Sequence, residues 1–514
     1  MSAAAAIEFE AISKRFGAVQ ANRAVSLAIA RGSIHGIIGE NGAGKSTLMS
    51  ILYGFYQADS GVIKVNGQLQ DIRRPADAMA AGIGMVHQHF MLVDELTVLE
   101  NVMLGAEGGV LLDRARRSRA EQTLASLSAQ HGLAVAPHAR VGGLPVGVQQ
   151  RVEILKALYR GARILILDEP SGVLTPQEAD ALFAVLSSLR RQGVTILLIT
   201  HKLREVLAVT DTVSVMRQGE VAATLPTAQA NAQMLADRMV GRPVALALHK
   251  PIVSAGAPVL QVDGLVVAGA AKNAVDGITF AVRSGEIVGI AGVAGNGQSE
   301  LLETLAGMRP VTGGCFRLGD VAVTPEQPKT ATQMRALGVA HVPEDRQKRG
   351  LVGAFSAAES AVLGYHDDKR WNGFLRMHRG DIHAHCEALM HDLEVRPTDP
   401  QLATHGFSGG NQQKLLVARE LAREPRLLLA GQPTRGVDIG AIELIHARLL
   451  AMRARGVAIV LVSVELDEIR ALADRIFVMS EGRFTGSLRG GEADEHRLGL
   501  MMADASTATL QSSP

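Results

Sequence analysis

A glycine loop set between a buried strand and a helix occurs twice in this chain, and no other feature constrains the fold as strongly. The first copy reads Gly39-Glu40-Asn41-Gly42-Ala43-Gly44-Lys45-Ser46, and the second reads Gly292-Val293-Ala294-Gly295-Asn296-Gly297-Gln298-Ser299. The apolar run Ile34-His35-Gly36-Ile37-Ile38 precedes the first, and a helix from Ser46 and Thr47 to Leu52 follows it. Glu286-Ile287-Val288-Gly289-Ile290 and Glu300 to Leu305 flank the second in the same way. A further pair, Val148-Gln149-Gln150-Arg151 and Asn411-Gln412-Gln413-Lys414, extends the repeat over most of each half, with extra residues gained in the helical middle of the second. Strands alternating with helices predict an α/β fold with a largely parallel sheet covered by helices.

At 514 residues the chain exceeds what one hydrophobic core usually supports. The repeat predicts two domains, residues 1–241 and 259–505. Residues 242–258, with prolines at 243, 251 and 258, read as a linker reaching at most ~58 Å. Residues 506–514 read as a frayed polar tail. The 52 basic and 51 acidic residues nearly cancel, which argues against a nucleic-acid-coating protein. Two cysteines, Cys315 and Cys386, make no CxxC pair and fit a reducing compartment. The apolar runs are strand-length, short of the ~20 residues of a bilayer span. Met1 to Glu10 lacks a basic n-region, so no signal peptide is expected. Any membrane association is expected to come through a partner.

The first loop has the composition of a phosphate cradle. Its glycines let backbone N–H groups wrap phosphate oxygens, and the helix N-terminus adds partial positive charge. Lys45 would reach the β- and γ-phosphates of a nucleotide, and the Ser46 hydroxyl would ligate Mg²⁺. Arg163-Ile164-Leu165-Ile166-Leu167-Asp168-Glu169-Pro170 adds a buried strand that ends in two carboxylates. Asp168 would hold Mg²⁺ through water, and Glu169 would orient and deprotonate the attacking water.

With these elements the chain resembles the ATP-binding subunits of ABC transporters over nearly all of both halves. The resemblance implies two tandem P-loop NTPase domains, each with a mainly parallel sheet core, an antiparallel β subdomain and a helical subdomain. It implies that Gln88 is the Q-loop glutamine that senses Mg²⁺, that His201 is the switch histidine at the γ-phosphate, and that Phe16 stacks on adenine. In the second half the corresponding positions are altered: Gln298 for the lysine, Gly431-Gln432 for the acid pair, Glu344 for the Q-loop glutamine, Val464 for the histidine. No aromatic matches Phe16 between Val266 and Val275.

The signature elements are damaged in the opposite sense. Phe407-Ser408-Gly409-Gly410-Asn411-Gln412 keeps the Ser-Gly-Gly core, and Asp438 keeps the D-loop acid. The first half reads Leu144-Pro145-Val146-Gly147, with Thr175 at the D-loop position. Proline has neither hydroxyl nor N–H, so Pro145 cannot donate to a phosphate. In the ABC family two domains pair head to tail, each nucleotide lying between one phosphate loop and the other signature. The resemblance therefore implies one complete site, from Lys45, Ser46, Gln88, Asp168, Glu169 and His201 with Ser408, Gly410 and Asp438, and one degenerate site opposite Pro145.

Such subunits serve bacterial importers of simple sugars and nucleosides. Val86-His87-Gln88-His89-Phe90-Met91-Leu92-Val93 and Gly292 to Gln298 favour the nucleoside branch. Two membrane-spanning permeases and an extracytoplasmic binding protein are the implied partners, with ATP and Mg²⁺ as cofactors and the cytoplasmic face of the cell membrane as location. The rival is a soluble tandem ABC protein acting on the ribosome, whose class usually keeps both sites catalytic and carries a long charged linker. The His378, His383, His385, Cys386 and His391 cluster suggests zinc at first sight, but the matching first-half helix lacks it, and a solvated helix is the preferred reading. The basic run Asp113 to Arg119 reads as a solvated helix entry, and His87 and His89 as loop residues.

Overall fold

The computed structural model describes residues 4–17, 19–87, 90–106, 114–172, 174, 176–244, 250–270, 272–293, 295–374 and 376–503. They form two compact units, Met1–Val244 and Ala245–Pro514. The first contains strands β1 (Ala5–Phe16), β2 (Val19–Ala30), β3 (Ile34–Gly39), β4 (Ser60–Val65), β5 (Gln68–Gln70), β6 (Ile83–Val86), β7 (Ile164–Asp168), β8 (Thr195–Ile199), β9 (Thr212–Arg217) and β10 (Glu220–Pro226). The second contains β11 (Pro258–Ala268), β12 (Asn273–Arg283), β13 (Ile287–Ala291), β14 (Gly313–Leu318), β15 (Val321–Val323), β16 (Val339–Val342), β17 (Leu427–Gly431), β18 (Ala458–Ser463), β19 (Arg475–Ser480) and β20 (Arg483–Arg489).

The first unit pairs a six-stranded sheet, β10-β9-β3-β8-β7-β6, with a four-stranded antiparallel sheet, β2-β1-β4-β5. The second repeats both orders, as β16-β17-β18-β13-β19-β20 and β12-β11-β14-β15. Strand β3 lies between β8 and β9 with parallel neighbours on both edges, and every residue from Ile34 to Gly39 is buried. A strand covered on both faces has no solvent side to leave polar, hence its nearly continuous apolar run. Along β7 the pleat sends Ile164 and Ile166 into the core shared with β1 and β2, and Leu165 and Leu167 into the core under the helices. In β17, Leu427 and Leu429 divide from Leu428 and Ala430 in the same manner.

His35 interrupts the apolar run of β3. It is 2% exposed, its Nε2 lies 2.8 Å from Ser214 Oγ, and burial pulls its pKa down to about 4. It is therefore a neutral core histidine. Part of the extra length of the second unit enters ahead of the helical middle, since Val323 to Ala331 is a longer connection than Gln70 to Pro75.

Both described ends of the proline-bearing linker stretch are bound to their own units. Val244 N donates to Asp237 Oδ1 at 2.9 Å. Lys250 Nζ lies 2.9 Å from Asp474 and 2.7 Å from Ala473 O, and Arg453 reaches Pro251 O at 2.8 Å. Burial pushes the Asp474 carboxyl up, but Arg453, the Ile287 N–H and Lys250 outweigh it and hold it below the usual range. The tail 506–514 lies outside the described residues.

The histidine-bearing helix Arg379–Asp392 is more deeply packed than a solvated helix. Ile382, Cys386, Leu389 and Met390 are buried, and His385 packs on Trp371 with ring centroids 4.7 Å apart. Among the described residues no three His, Cys, Asp or Glu side chains converge to hold a metal ion. Nor is any helix among them long and apolar enough to cross a membrane.

Candidate functional site

The first glycine loop leaves β3 at Gly39 and enters the helix Lys45–Tyr53. Gly39 has no room for a side chain, because a Cβ would run into Met216 O and lie 3.0 Å from Ala43 Cβ. Gly42 (φ +82°) and Gly44 (φ +96°) occupy the left-handed region that glycine adopts without strain. Gly42 faces open space, with nothing within 4 Å of where its Cβ would be, and Asn41 beside it is exposed. Ala43 N donates to Glu40 O at 3.0 Å, and Ala43 O accepts from Gly219 N at 3.1 Å. The fully buried Asn22 donates from Nδ2 to Gly44 O at 3.1 Å. These bonds fix the loop backbone, with Gly42 turned outward and Gly39 and Gly44 packed against Met216 O and Ala21 O, and Ser46 and Thr47 lie in the first turn of the helix.

Lys45 is only 6% exposed and folds back along the loop, donating to Gly39 O at 2.7 Å and Glu40 O at 3.0 Å. Burial lowers its pKa, and the charges of Glu169, Asp168 and Glu40 oppose that. Asp168 ends β7 and accepts a hydrogen bond from the Ser46 hydroxyl. Burial, with Glu169 beside it, pushes its carboxyl up to about 6 against the pull of Lys45 and Ser46. The next residue behaves oppositely. Burial raises Glu169 too, but the hydrogen bond and charge of His201, with Lys45 and Lys202, outweigh it and bring its carboxyl below the usual range. His201 Nδ1 lies 2.8 Å from Glu169 Oε1. Glu169 also has φ +47°, a strained conformation for a non-glycine residue, held by its N–H bond to Ile199 O at 2.9 Å.

The structure thus gathers Lys45, Ser46, Asp168, Glu169 and His201 around one loop. Gln88 lies outside the described residues, as does Thr175. Phe16, at the end of β1, is 42% exposed and meets Tyr56 edge-on at 5.1 Å, so two aromatics stand where one was read from the sequence.

The family model described as ABC transporter matches residues 22–172 and again 275–435. A glucose import ATP-binding protein of Haloferax volcanii is 44% identical, over 98% of this chain and 96% of its own. A guanosine import ATP-binding protein of Bacillus subtilis is 43% identical, over 97% of each chain. A ribose import ATP-binding protein of Escherichia coli O157:H7 is 37% identical, over 99% of each. The chain belongs to the ABC transporter family. Its ATP-binding domain is present twice, and its enzyme class is that of an ATPase.

The described residues of the second ABC domain's loop keep the backbone of the first and change its chemistry. Gly295 (φ +91°) and Gly297 (φ +103°) repeat the left-handed glycines, and Gly295 again faces open space. Gln298, 5% exposed, follows the path of Lys45 and donates to Val293 O at 3.3 Å. The buried Asn22 has a buried Val275 as its counterpart in β12, so the loop loses that anchor. Gln432 keeps the strained backbone of Glu169, with φ +46° and an N–H bond to Val462 O at 2.7 Å. Val464, 39% exposed, stands where His201 does, and Glu465 N bonds Ser463 Oγ just as Lys202 N bonds Thr200 Oγ1, both at 3.0 Å. Glu344 approaches this loop: its Oε2 accepts from Ser299 Oγ at 2.8 Å and from Gln432 Nε2 at 3.3 Å. Burial pushes the Glu344 carboxyl up, while the bonds from Ser299 and Gln432 and the charge of Arg435 pull it back.

The two signature segments differ at the helix cap. Ser408 caps the helix Gly409–Leu421 and accepts from Asn411 N at 3.5 Å and Asn411 Nδ2 at 2.9 Å, which leaves its own O–H to donate outward. Gly409 and Gly410 open that helix, and a Cβ on Gly410 would lie 3.0 Å from Gly436 O. Pro145 caps the helix Val146–Tyr159 with no side-chain bond. Asp438 caps the helix Ile439–Ala454 through Ala441 N at 2.7 Å and pairs with Lys414 at 2.9 Å. Sequence reading missed Asn22, Tyr56 and Lys414. The signal for Asn22 was a lone amide among inward-facing apolar residues of β2.

Proposed function

We propose that this chain is the energy-coupling ATPase of an ABC import system for nucleosides or simple sugars, with one hydrolytic site and one degenerate site. The hydrolytic site joins Lys45, Ser46, Gln88, Asp168, Glu169 and His201 of the first domain with Ser408, Gly409, Gly410 and Asp438 of the second. The degenerate site joins Gln298, Gly431, Gln432 and Val464 with Pro145. The observation that carries the reading is the Glu169–His201 pair at 2.8 Å, present in one domain and replaced by Gln432 and Val464 in the other. The similar proteins of Haloferax volcanii, Bacillus subtilis and Escherichia coli, named for import of glucose, guanosine and ribose, support the substrate class. The sequence of the loop from Val86 to Val93 places nucleosides first.

ATP lies along Gly39 to Thr47, its triphosphate on the loop N–H groups and Lys45, its adenine against Phe16. Ser46 and Asp168 offer two hard oxygen ligands on one hydrogen bond, the donor chemistry that would suit a dication. Ser46, Asp168 and Gln88 would hold Mg²⁺, which when bound would supply positive charge to the phosphate oxygens. Glu169 takes the proton of the attacking water, and His201, oriented through Nδ1, turns its Nε2 away from the carboxylate toward the γ-phosphate. Two permease subunits and an extracytoplasmic binding protein complete the system and hold the chain at the cytoplasmic face of the membrane.

Replacing Glu169 by glutamine should lower ATP turnover by about 10²- to 10⁴-fold while ATP stays bound. Turnover at the wild-type rate would remove Glu169 as the base. Cells carrying Glu169→Gln should also lose uptake of labelled guanosine, ribose or glucose. If uptake of all three is unchanged, the import assignment fails.

A further inference from the structure

The two signature helices are fixed to their own domains by different means. In the second domain the helix Gly409–Leu421 is tied to the sheet at two points. Gln413, 1% exposed, donates from Nε2 to Gln432 O at 3.3 Å and to Pro433 O at 3.1 Å, just past the end of β17. Two turns on, Glu420 reaches the edge strand β16 and accepts from His341 N at 3.3 Å. The same carboxylate takes the Tyr365 hydroxyl at 2.5 Å and Arg419 Nε at 2.8 Å. Arg419, itself buried, continues to Gly350 O and Ser360 O, both at 3.1 Å. The Tyr365 ring carries Arg423 at 4.3 Å and Arg335 at 5.4 Å from its centroid.

The first domain replaces these ties residue by residue. Ala157 stands for Glu420, Ala106 for Tyr365 and Met79 for Arg335. Gln150 keeps the amide and its burial, at 1% exposed, but among the described residues neither of its amide atoms has a partner. Lys156, in the place of Arg419, bonds Met91 O at 2.6 Å, on the loop beyond β6. Where Tyr365 meets Glu420 and the two arginines in the second domain, the first has a cavity of about 90 Å³ lined by Met79, Met85, Lys156, Ala157 and Arg160 among others. Unfilled space and unpaired buried polar groups both cost stability, so the first signature helix is the more loosely held.

We propose that Tyr365, Glu420 and Gln413 are positioning residues for ATP hydrolysis, which clamp the helix Gly409–Leu421 to its own sheet and so hold the Ser408 hydroxyl at its N-terminus in one direction. A hydrogen-bond donor is worth most to a transition state when it need not reorient as charge develops. The signature that keeps its serine has the clamp, and the one with Pro145, which has no donor to hold, lacks it. The role rests on the reading of Ser408 as part of the hydrolytic site, whereas the clamp itself lies wholly within the second domain.

Tyr365→Phe removes one hydroxyl and keeps the ring, so it tests the clamp without emptying the space around it. In hydrogen exchange read by mass spectrometry on the full-length chain, the amides of Val146–Tyr159 should exchange about tenfold faster than those of Gly409–Leu421. Tyr365→Phe should narrow that gap. It should also lower kcat for ATP about threefold to tenfold, the range for one buried hydrogen bond, while KM and the melting temperature change little. Tyr365→Ala, which copies Ala106, should lower kcat further. A residue that acts through Ser408 has nothing to position once that hydroxyl is gone. In a Ser408→Ala background Tyr365→Phe should therefore change turnover by less than about twofold. Equal exchange in the two wild-type helices, wild-type kcat in Tyr365→Phe, or the same loss with and without Ser408 overturns the proposal. If Ser408→Ala itself turns over at the wild-type rate, the hydrolytic-site reading falls and the positioning role with it. Loss in Ser408→Ala with none in Tyr365→Phe removes the role alone.

Discussion

The described residues of the two phosphate loops have nearly the same backbone and different side chains, which separates what folding requires from what hydrolysis requires. Gly42 and Gly295, Gly44 and Gly297, and Glu169 and Gln432 match in φ to within about 10°. The last pair is the most instructive. A non-glycine residue at positive φ costs on the order of 1–3 kcal/mol, and the second domain keeps that strain with no general base to position. Its cause is the exit from the strand: Glu169 and Gln432 both use that backbone to bond the last turn of the adjacent strand, through Ile199 O and Val462 O. The strain belongs to the fold, and catalysis in the first domain makes use of it.

That comparison breaks most readily at the signature. If hydrolysis draws on the second domain's signature alone, Ser408→Ala should lower turnover about 10²- to 10³-fold, the range for removing one preorganised donor. Pro145→Ser should change it less than twofold. Steady-state ATPase rates of the two variants decide the matter, and equal effects would contradict the assigned asymmetry. Ser408→Gly makes a useful companion, since glycine keeps much of the capping preference while losing the hydroxyl.

A smaller effect is expected from steric exchange at the strand ends. Gly431→Asp places a side chain against Glu344 Cγ and Leu302 Cδ1, at 2.9 and 3.0 Å from the new Cβ, and should destabilise the second domain by about 1–3 kcal/mol. Asp168→Gly, the reverse change in the first domain, should leave thermal stability nearly unaltered while abolishing turnover. Differential scanning calorimetry resolves both, and a Gly431→Asp variant as stable as wild type would show that Glu344 moves aside freely.

The pH response should differ between the domains at β3 and β13. His35 has a folded-state pKa of about 4, below its ordinary 6.5, because burial disfavours the imidazolium. The unfolded chain then binds this proton more tightly than the folded one. The contribution is therefore fully present above pH 6.5 and is lost as the pH falls from 6.5 toward 4, by at most about 3 kcal/mol. His35→Val copies Val288 of the second domain and should flatten that part of the first domain's acid sensitivity, measured as urea midpoints between pH 7 and 4.5. An undiminished slope would show that other groups carry it.

Much of this was legible from residues alone because the repeat let each half annotate the other. Gly39 to Ser46 fixed strand, loop and helix, and Asp168-Glu169 after an apolar run fixed the end of β7. The contacts that depend on distant strands were not legible. Asn22 reaches Gly44 across 22 residues of sequence, and Glu344 reaches Ser299 across 45. The sequence reads Glu344 as an altered Q-loop residue but carries no sign that it lies beside Gly431 and takes the Ser299 hydroxyl. The histidine-rich helix misled in the other direction: His385 and Cys386 pack against Trp371 and the core, a burial that polar composition conceals.

The smallest expected effect tests the comparison most sharply. Gln298→Lys restores the missing charge on a backbone that already matches, and a lysine there would follow the path of Gln298 toward Val293 O. It would add a cation beside Glu344 and should tighten nucleotide binding. Turnover should rise by less than twofold, because Gln432 still cannot take a proton and Val464 still cannot orient a base. Adding Gln432→Glu and Val464→His would rebuild that pair on the retained φ +46° backbone. The triple variant should remain slow while Pro145 occupies the signature, and Pro145→Ser on top of it should give the first measurable gain. A doubled rate from Gln298→Lys alone would mean that the second loop had lost only its charge, and that its other substitutions do not limit hydrolysis.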